Sequence, residues 1–577
     1  MNKKTAYLLL YCILIFAFTL RLFGLNWDNG THLHPDERAI VLSVIGLHLP
    51  RSFSEFLTPE SPWNTHFFAY GNFPFYLLRI VGTLAGTIEP RLADYDGIEL
   101  VGRFLSALFD VGTVCLLFFL GKKIRNVRVG LIASSFYSLS VLPIQLSHFY
   151  AVDTPLTFLI TLLLILLLSF YEKQSVKKAI AIGAVFAFSL ATKVSALVLV
   201  TAIGFALSID FFLVFLKRPH KIETWTHHFP RFLRRLMSEG IIILVTTIVL
   251  YIVLSPYTFL DFSKFQQQTL EQSRMMRDAF TFPYTLQYVG KIPYFYEFKN
   301  IALYGLGPLL AVLCFSGLIV FLWQTVRKRT HTDFAKHVIL IVFFLSYVGV
   351  VGSFAVGFMR YMLPVYPMLC LFGAILTELL FVTLYKKNAF VSIALFFLLS
   401  TGLLVWPLSF MHIYTTKHTR ISASEWIHAN IPPGDTIAVE HWDDALPLSG
   451  IEQYNVLTYP LYEPDSPEKW TQMQGFLDET DYIILSSNRL YVPLQKLTDC
   501  GKLPHLRCYT KTAFYYQSLF NGSLGFKKVA EFTSYPRLEI GPPTGGLKLE
   551  IHDDAADESF TVYDHPKVLI FKKQPSV

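Results

Sequence analysis

Eleven predominantly apolar stretches recur along this 577-residue chain, near residues 5–25, 100–120, 130–147, 153–170, 177–192, 194–216, 240–256, 302–324, 336–356, 361–384 and 390–412. A bilayer core of about 30 Å takes about 20 apolar residues per helix. Runs of this length, repeated this often, confine the chain to a bundle of membrane-spanning helices, in which each helix satisfies its own backbone polar groups. Composition agrees, since 53% hydrophobic against 16% charged residues leaves too little charge to coat a soluble surface. The first run is too long for a removable signal peptide and lacks a small-residue cleavage site.

Lysine and arginine set the expected orientation. Alternate connections carry Lys3 and Lys4, "GKKIRNVR", "EKQSVKK", the basic 217–238 loop, "RKRTHTDFAK" and "YKK". The opposite short connections carry almost none apart from Lys193 and Arg360. The positive-inside rule then predicts an integral protein of the inner or plasma membrane, with its N-terminus cytoplasmic and its C-terminal segment extracytoplasmic. From residue 413 onward there are 15 Lys and Arg against 21 Asp and Glu, whereas the rest of the chain holds 34 against 21. The basic balance therefore belongs to cytoplasmic loops, which excludes a nucleic-acid partner.

The expected fold is a polytopic α-helical membrane protein of about eleven spans, with outer-face amphipathic helices and a C-terminal extracytoplasmic α/β domain. Residues 1–412 form the membrane domain, with long outer loops at about 26–99 and 257–301, and 413–577 form the second domain. In that tail "SASEWIHANIPPGDTIAVE" reads as helix, turn and strand, while "DYIILSS" and "KVLIFKK" read as strands. Cys500 and Cys508 lie close together there, and an oxidising exterior permits a bridge between them.

Polar residues gather at the outer ends of helices: "HLHPDER" with His34, Asp36 and Glu37, then "SHFYAVDTP" with His148 and Asp153, Lys193 in "ATKVSA", and Arg360 with Tyr361 in "GFMRYMLP". Topology brings them to one membrane face. Cations there suit a lipid-linked phosphate, and a carboxylate suits an incoming hydroxyl that must lose its proton. Each residue also has a plainer reading. His34 can cap a helix whose first position is Pro35, Glu37 and Asp153 can sit in first helical turns, Lys193 can snorkel, and Arg360 can anchor at the interface. Arg103 and Asp110 share one face of a span, and the leading account of both is a structural link, with a proton path as the alternative. No HExxH-type spacing supports a metal role for His34 or His148.

The order of "HPDE", "YGNFPFYLL", "VGRFLSALFDVGT", "SHFYAVDTP", "TKVSAL" and "RYMLPVYP" resembles the GT-C superfamily of polyprenyl-phosphate-sugar-dependent glycosyltransferases. The resemblance is to its protein O-mannosyltransferase and lipid A aminoarabinose transferase branch, over roughly residues 1–412. It implies an inverting transfer from a polyprenyl-phosphate sugar, with the first-loop aspartate, Asp36, as base. Glu37, Asp153, His148 and His34 would bind or support the acceptor, and Lys193, Arg360 and Tyr361 would hold the donor phosphate. The aminoarabinose branch carries a Glu-Lys pair where this chain has "YGNFP" around Tyr70 to Pro74, so a proposed metal ligand is missing. The expectation is no required cofactor, with a divalent metal as the alternative. Expected partners are membrane lipid, the lipid-linked sugar, and a protein, lipid or glycan acceptor. Trp27, Tyr70 and Phe73 are the candidate sugar-stacking aromatics. A membrane transporter for a lipid-linked or small polar substrate is the rival class, although the inverted repeats and broken midplane helices it predicts are not evident in the sequence.

Overall fold

The structure, a computed structural model, describes residues 2–217, 229, 230, 232–327, 333–541 and 546–575. Most of the basic 217–238 loop and part of "RKRTHTDFAK" therefore lie outside the described residues.

All eleven apolar stretches are helical, but the count of spans is smaller than expected. Among the described residues eight helices are long and apolar enough to cross a membrane, and a bent pair brings the number to nine. That pair, Val127–Ser138 and Val141–Ser147, turns by 60° at Leu139–Ser140, with Pro143 opening the second piece. Pro cannot donate its backbone N–H to an ongoing helix, which is the ordinary cause of such a break. The other two stretches are interrupted at Lys193. Val176–Leu190 has only 15 residues, about 22 Å of helix, and the chain is extended at Lys193 before it re-enters a helical turn at Val194.

Close backbone approach holds parts of the bundle. A Cβ on Gly317 would lie 2.3 Å from the Phe372 carbonyl oxygen, so the helices Pro308–Arg327 and Tyr366–Lys387 meet where only glycine fits. At the end of the bundle rich in Lys and Arg, Glu172 bridges Lys123 and Lys336, and Glu378 takes Arg125. Within the spans Arg103 and Asp110 do not pair with each other. Asp110 binds Arg21 of the first helix, α1 (Lys3–Leu22), at 2.6 Å and the Tyr137 hydroxyl at 2.6 Å.

The loop at 26–99 contains α2 (Pro35–Ile45) and the apolar helix Phe73–Gly86, whose Ile80 and Leu84 are exposed, and the loop at 257–301 contains the amphipathic helix Phe262–Arg277. The tail is a five-stranded mixed sheet of β1 (Thr436–Glu440), β2 (Asn455–Tyr459), β3 (Tyr482–Leu485), β4 (Phe526–Phe532) and β7 (Val568–Lys573), in the order β2-β1-β3-β7-β4. A separate hairpin pairs β5 (Arg537–Ile540) with β6 (Leu547–Glu550). Alternate residues bury opposite faces of the larger sheet. Ile437, Ile484 and Ile570 pack under Ala423 and Ile427 of the helix Thr419–Asn430. Ala438, Ile483 and Phe571 pack under Met473 and Leu519 of two further helices. Cys500 and Cys508 are disulfide-bonded.

This second domain is not a separate cap. Its segment around Phe560, Val562 and Tyr563 joins the main apolar core of the helical bundle. Gln145 donates to the Phe560 carbonyl at 2.7 Å and to Asp564, and the Tyr414 hydroxyl donates to Asp564 at 2.9 Å. His565 lies between Asp564 and Asp553. Burial works against its charge, but the two carboxylates outweigh burial and raise its pKa to about 10. The docked tail also contributes Glu558 and Tyr563 to the lining of a cavity shared with the bundle.

Candidate functional site

The site is organised by the first turn of α2. His34 is the N-cap, its Nδ1 accepting the Glu37 N–H at 3.2 Å, and Pro35 takes the first helical position, where no N–H is needed. Successive helical residues point about 100° apart, so the next three side chains enter three environments. Asp36 faces the cavity, with 24% of its side chain exposed, and its Oδ2 lies 2.6 Å from Arg360 Nη1. Glu37 is sealed inside. Both its oxygens meet Arg103 Nε at 3.0–3.1 Å, and one accepts the Tyr150 N–H at 2.7 Å. Arg103 also forks onto Asp28 with two bonds of 2.9 Å. Arg38 reaches across to Asp444 of the second domain at 3.1 Å.

The second half of the site is built by a backbone contact. The Gly71 and Phe73 N–H groups donate to the carbonyls of Thr192 and Ala191, both at 3.0 Å. A Cβ on Gly71 would overlap Ala191, lying 2.0 Å from its oxygen, so glycine is required there. This contact sets Tyr70 beside Lys193, whose ammonium lies 5.8 Å from that ring and 4.6 Å from the Tyr361 ring. Lys193 donates to Asp153 at 2.8 Å, and Asp153 Oδ2 is 3.9 Å from Arg360 Nε. Asp36, Arg360, Asp153 and Lys193 thus form a continuous chain of two acids and two cations. Asp36 Oδ2 has the Arg360 ion pair as its contact, while Asp153 Oδ2 and Arg360 Nε are buried without a completed hydrogen bond. They are groups on which an incoming ligand can complete the bonding.

These residues close one end of a cavity of about 1030 Å³, lined there by Asp36, Tyr70, Lys193, Arg360 and Tyr361. Its apolar side includes Met275, Met276, Val351, Phe354 and Phe358, and its far wall is Arg420, Trp442, Asp443, Asp444, Arg489 and Glu558. Burial pushes the Asp36 carboxyl up, but Arg360, the Tyr70 hydroxyl and Lys193 outweigh it and hold its pKa below the ordinary value. Asp36 is therefore ionised at neutral pH and able to accept a proton. Burial, above all, lowers His34 to about 3, so its ring is neutral.

The structure sorts the residues expected from sequence. Asp36, Lys193, Arg360 and Tyr361 line the cavity together, and Asp153 stands immediately behind, bound to Lys193. Glu37, His34 and His148 do not line it. His34 is stacked between Phe149 and Tyr563, and His148 is stacked on Tyr414 with its ring nitrogens 2.9 Å from two carbonyl oxygens. All three are held by the protein away from the cavity lining, a placement that suits support of the site and not direct contact with an acceptor. Of the sugar-stacking candidates only Tyr70 lines the cavity. Trp27 is buried, with its indole N–H on the His148 carbonyl at 3.0 Å, and Phe73 packs edge-on against Phe188. The far wall of the cavity was not anticipated. Trp442, Asp443, Asp444 and Arg489 come from loops of the tail and Arg420 and Glu558 from its helices, and no motif marks them. Among the described residues no group of three or more His, Cys, Asp or Glu is arranged to hold a metal.

A family model described as dolichyl-phosphate-mannose-protein mannosyltransferase matches residues 95–229. Among solved structures the chain is similar to the apo oligosaccharyltransferase of Archaeoglobus fulgidus, with a TM-score of 0.53 at 12% identity over 96% of this chain and 75% of that one. It is also similar to oligosaccharyltransferase AglB from Archaeoglobus fulgidus in complex with an inhibitory peptide and a dolichol-phosphate. There the TM-score is 0.50 at 13% identity, over 92% and 80% of the two chains. ArnT from Cupriavidus metallidurans, bound to undecaprenyl phosphate, aligns with a TM-score of 0.48 at 12% identity, over 86% of this chain and 95% of that one. No curated protein matches the chain. The fold is that of these oligosaccharyltransferase structures, a polytopic helical membrane fold with a sheet-containing tail. The matched family model, over residues 95–229, agrees with the resemblance to the protein O-mannosyltransferase branch.

Proposed function

We propose that this protein is an inverting glycosyltransferase that moves a sugar from a polyprenyl-phosphate carrier to a hydroxyl acceptor on the extracytoplasmic face of the membrane. The observation that carries the reading is the pairing of an ionised, cavity-facing Asp36 with Arg360, one step from Lys193, in a cavity with one apolar side. The carrier phosphate takes the place next to Arg360 and Lys193, and Tyr361 lies against both cations. Arginine's planar fork suits a phosphate, since it can make paired bonds to two oxygens.

Asp36 takes the proton of the acceptor hydroxyl as its oxygen attacks the anomeric carbon. The bond from that carbon to the phosphate oxygen breaks, and the carrier leaves as an anion that the same cations stabilise. One displacement with no second, nucleophilic carboxylate inverts the anomeric configuration. Asp153 keeps Lys193 and Arg360 spaced while the phosphate arrives and departs. No step calls for a metal, and "YGNFP" contributes the Tyr70 ring instead of an acid. The test is transfer by the purified protein from a panel of polyprenyl-phosphate sugars. Transfer dependent on Asp36 supports the reading, and its absence with every donor removes it.

A further inference from the structure

The far wall of the cavity holds a residue whose placement works against its own preferences. Trp442, just past β1, has a φ of +67°, a region that bulky L-residues rarely enter. Its indole is 53% exposed and lines the cavity. Turning inward would bury one of the largest apolar side chains. Its surroundings hold it outward instead. Arg489 Nη1 donates to the Trp442 carbonyl at 3.2 Å and its Nε to Glu558 at 2.7 Å. The adjoining Asp443 is buried and takes Arg420 at 2.7 Å, while Asp444 joins Arg420 at 2.7 Å to Arg38 at 3.1 Å. A strained residue persists where its neighbours over-determine it, and such positions concentrate at ligand clamps.

We infer that Trp442 and the polar wall beside it form a subsite for a carbohydrate acceptor, with a sugar ring stacked on the indole and its hydroxyls bonded to Asp444, Arg38 and the Arg489–Glu558 pair. The inference rests on the transferase reading of the same cavity. A sugar ring has an apolar C–H face and a rim of hydroxyls. An indole face matches the first, and carboxylates and guanidinium groups accept and donate to the second. Arg38, Arg420 and Arg489 stand against Asp443, Asp444 and Glu558, so the wall balances in charge and favours a neutral, hydroxyl-rich ligand. An extended peptide would seek an open strand edge. The edges of the five-stranded sheet are β2 and β4, and no residue of either lines the cavity.

The experiment measures binding by the full-length protein in nanodiscs, with thermal unfolding as the check on folding. The probes are fluorescein-labelled neutral hexose trisaccharides (gluco, galacto and manno), a labelled Ser/Thr-containing peptide, and undecaprenyl phosphate. Trp442→Ala is expected to lose trisaccharide affinity by about tenfold, the scale of one aromatic stacking contact, while Trp442→Phe keeps most of it. Undecaprenyl phosphate binding is expected to survive Trp442→Ala and to weaken in Arg360→Lys. That arm judges the donor half of the transferase reading on its own. Trisaccharide binding by Trp442→Ala within about twofold of wild type, no trisaccharide binding by the folded wild type, or Trp442-dependent binding of the peptide in place of the sugars would each overturn the inference.

Discussion

Two acid–cation clusters sit side by side at the start of α2, and they differ in one respect. Asp28, Glu37 and Arg103 are closed off from solvent, and every charged group is met by hydrogen bonds. Asp36, Arg360, Asp153 and Lys193 have similar chemistry, but they line or back a cavity and leave Asp153 Oδ2 and Arg360 Nε without completed hydrogen bonds. A sealed cluster can only hold elements together. An open one with unmet bonding can exchange partners with a ligand. Neighbouring residues in one helical turn, Asp36 and Glu37, are thereby placed in opposite surroundings.

The largest expected effect breaks the open cluster. Asp36→Asn should lower transfer by about 10²–10⁴-fold, the usual contribution of a general base. Thermal unfolding should stay close to wild type, because an amide still fills the partly exposed position. Turnover at the wild-type rate would move the base elsewhere.

Next comes the sealed cluster. Arg103→Ala leaves two buried carboxylates facing each other without their cation, a change that costs about 3–5 kcal/mol. Unfolding of the detergent-solubilised protein should shift accordingly, or the variant should fail to accumulate. If it folds with wild-type stability, the sealed cluster is not what fixes α2.

A smaller effect is expected at Arg360. Arg360→Lys keeps the charge and loses the fork, so carrier-phosphate affinity should fall by about five- to twentyfold, close to one charge-assisted hydrogen bond. An interfacial anchor would tolerate the exchange, since lysine snorkels about as well. The side chain is only 9% exposed and paired to Asp36, which favours the first outcome. Donor affinity of the matched variants decides between them.

The smallest effect lies in the pH dependence. A carboxyl held low in the folded state contributes its pairing fully above its unfolded pKa, and loses it only as the pH falls through the depressed folded value. The acid limb of the transfer rate should therefore fall below the ordinary aspartate value of about 3.9, with Asp36 responsible. An acid limb at or above that value would mean that the Arg360 pairing opens in solution.

Much of this protein is legible in its sequence. Apolar runs mark the helices, since a bilayer leaves the backbone no other solution. Short β-rich runs bounded by turn residues mark strands of the tail, and "HPDE", "TKVSA" and "MRYMLP" mark the chain segments that supply the open cluster. The break at Lys193 was also marked by the lysine within an apolar run. Hydropathy does not register the 60° bend at Ser140 or the short reach of Val176–Leu190, which only the structure shows. It also gave no sign that Phe560–Tyr563, nearly 150 residues beyond the last apolar stretch, belongs to the core of the bundle.

What sequence determined by itself is local: which segments are apolar enough to leave water, where they are punctuated, and which carry charge at their ends. Tertiary structure decided which of two adjacent acids faces the cavity and which is sealed behind it. Position in a helix fixes only the angle between Asp36 and Glu37. The element that α2 packs against, the helix bearing Arg103, turns Glu37 inward and leaves Asp36 to the cavity. The far wall was decided in the same way, because Trp442, Asp444 and Arg489 reach the site only through the docking of the tail. Charge pairing depends on distances of a few ångströms between residues hundreds of positions apart, and no local pattern encodes them.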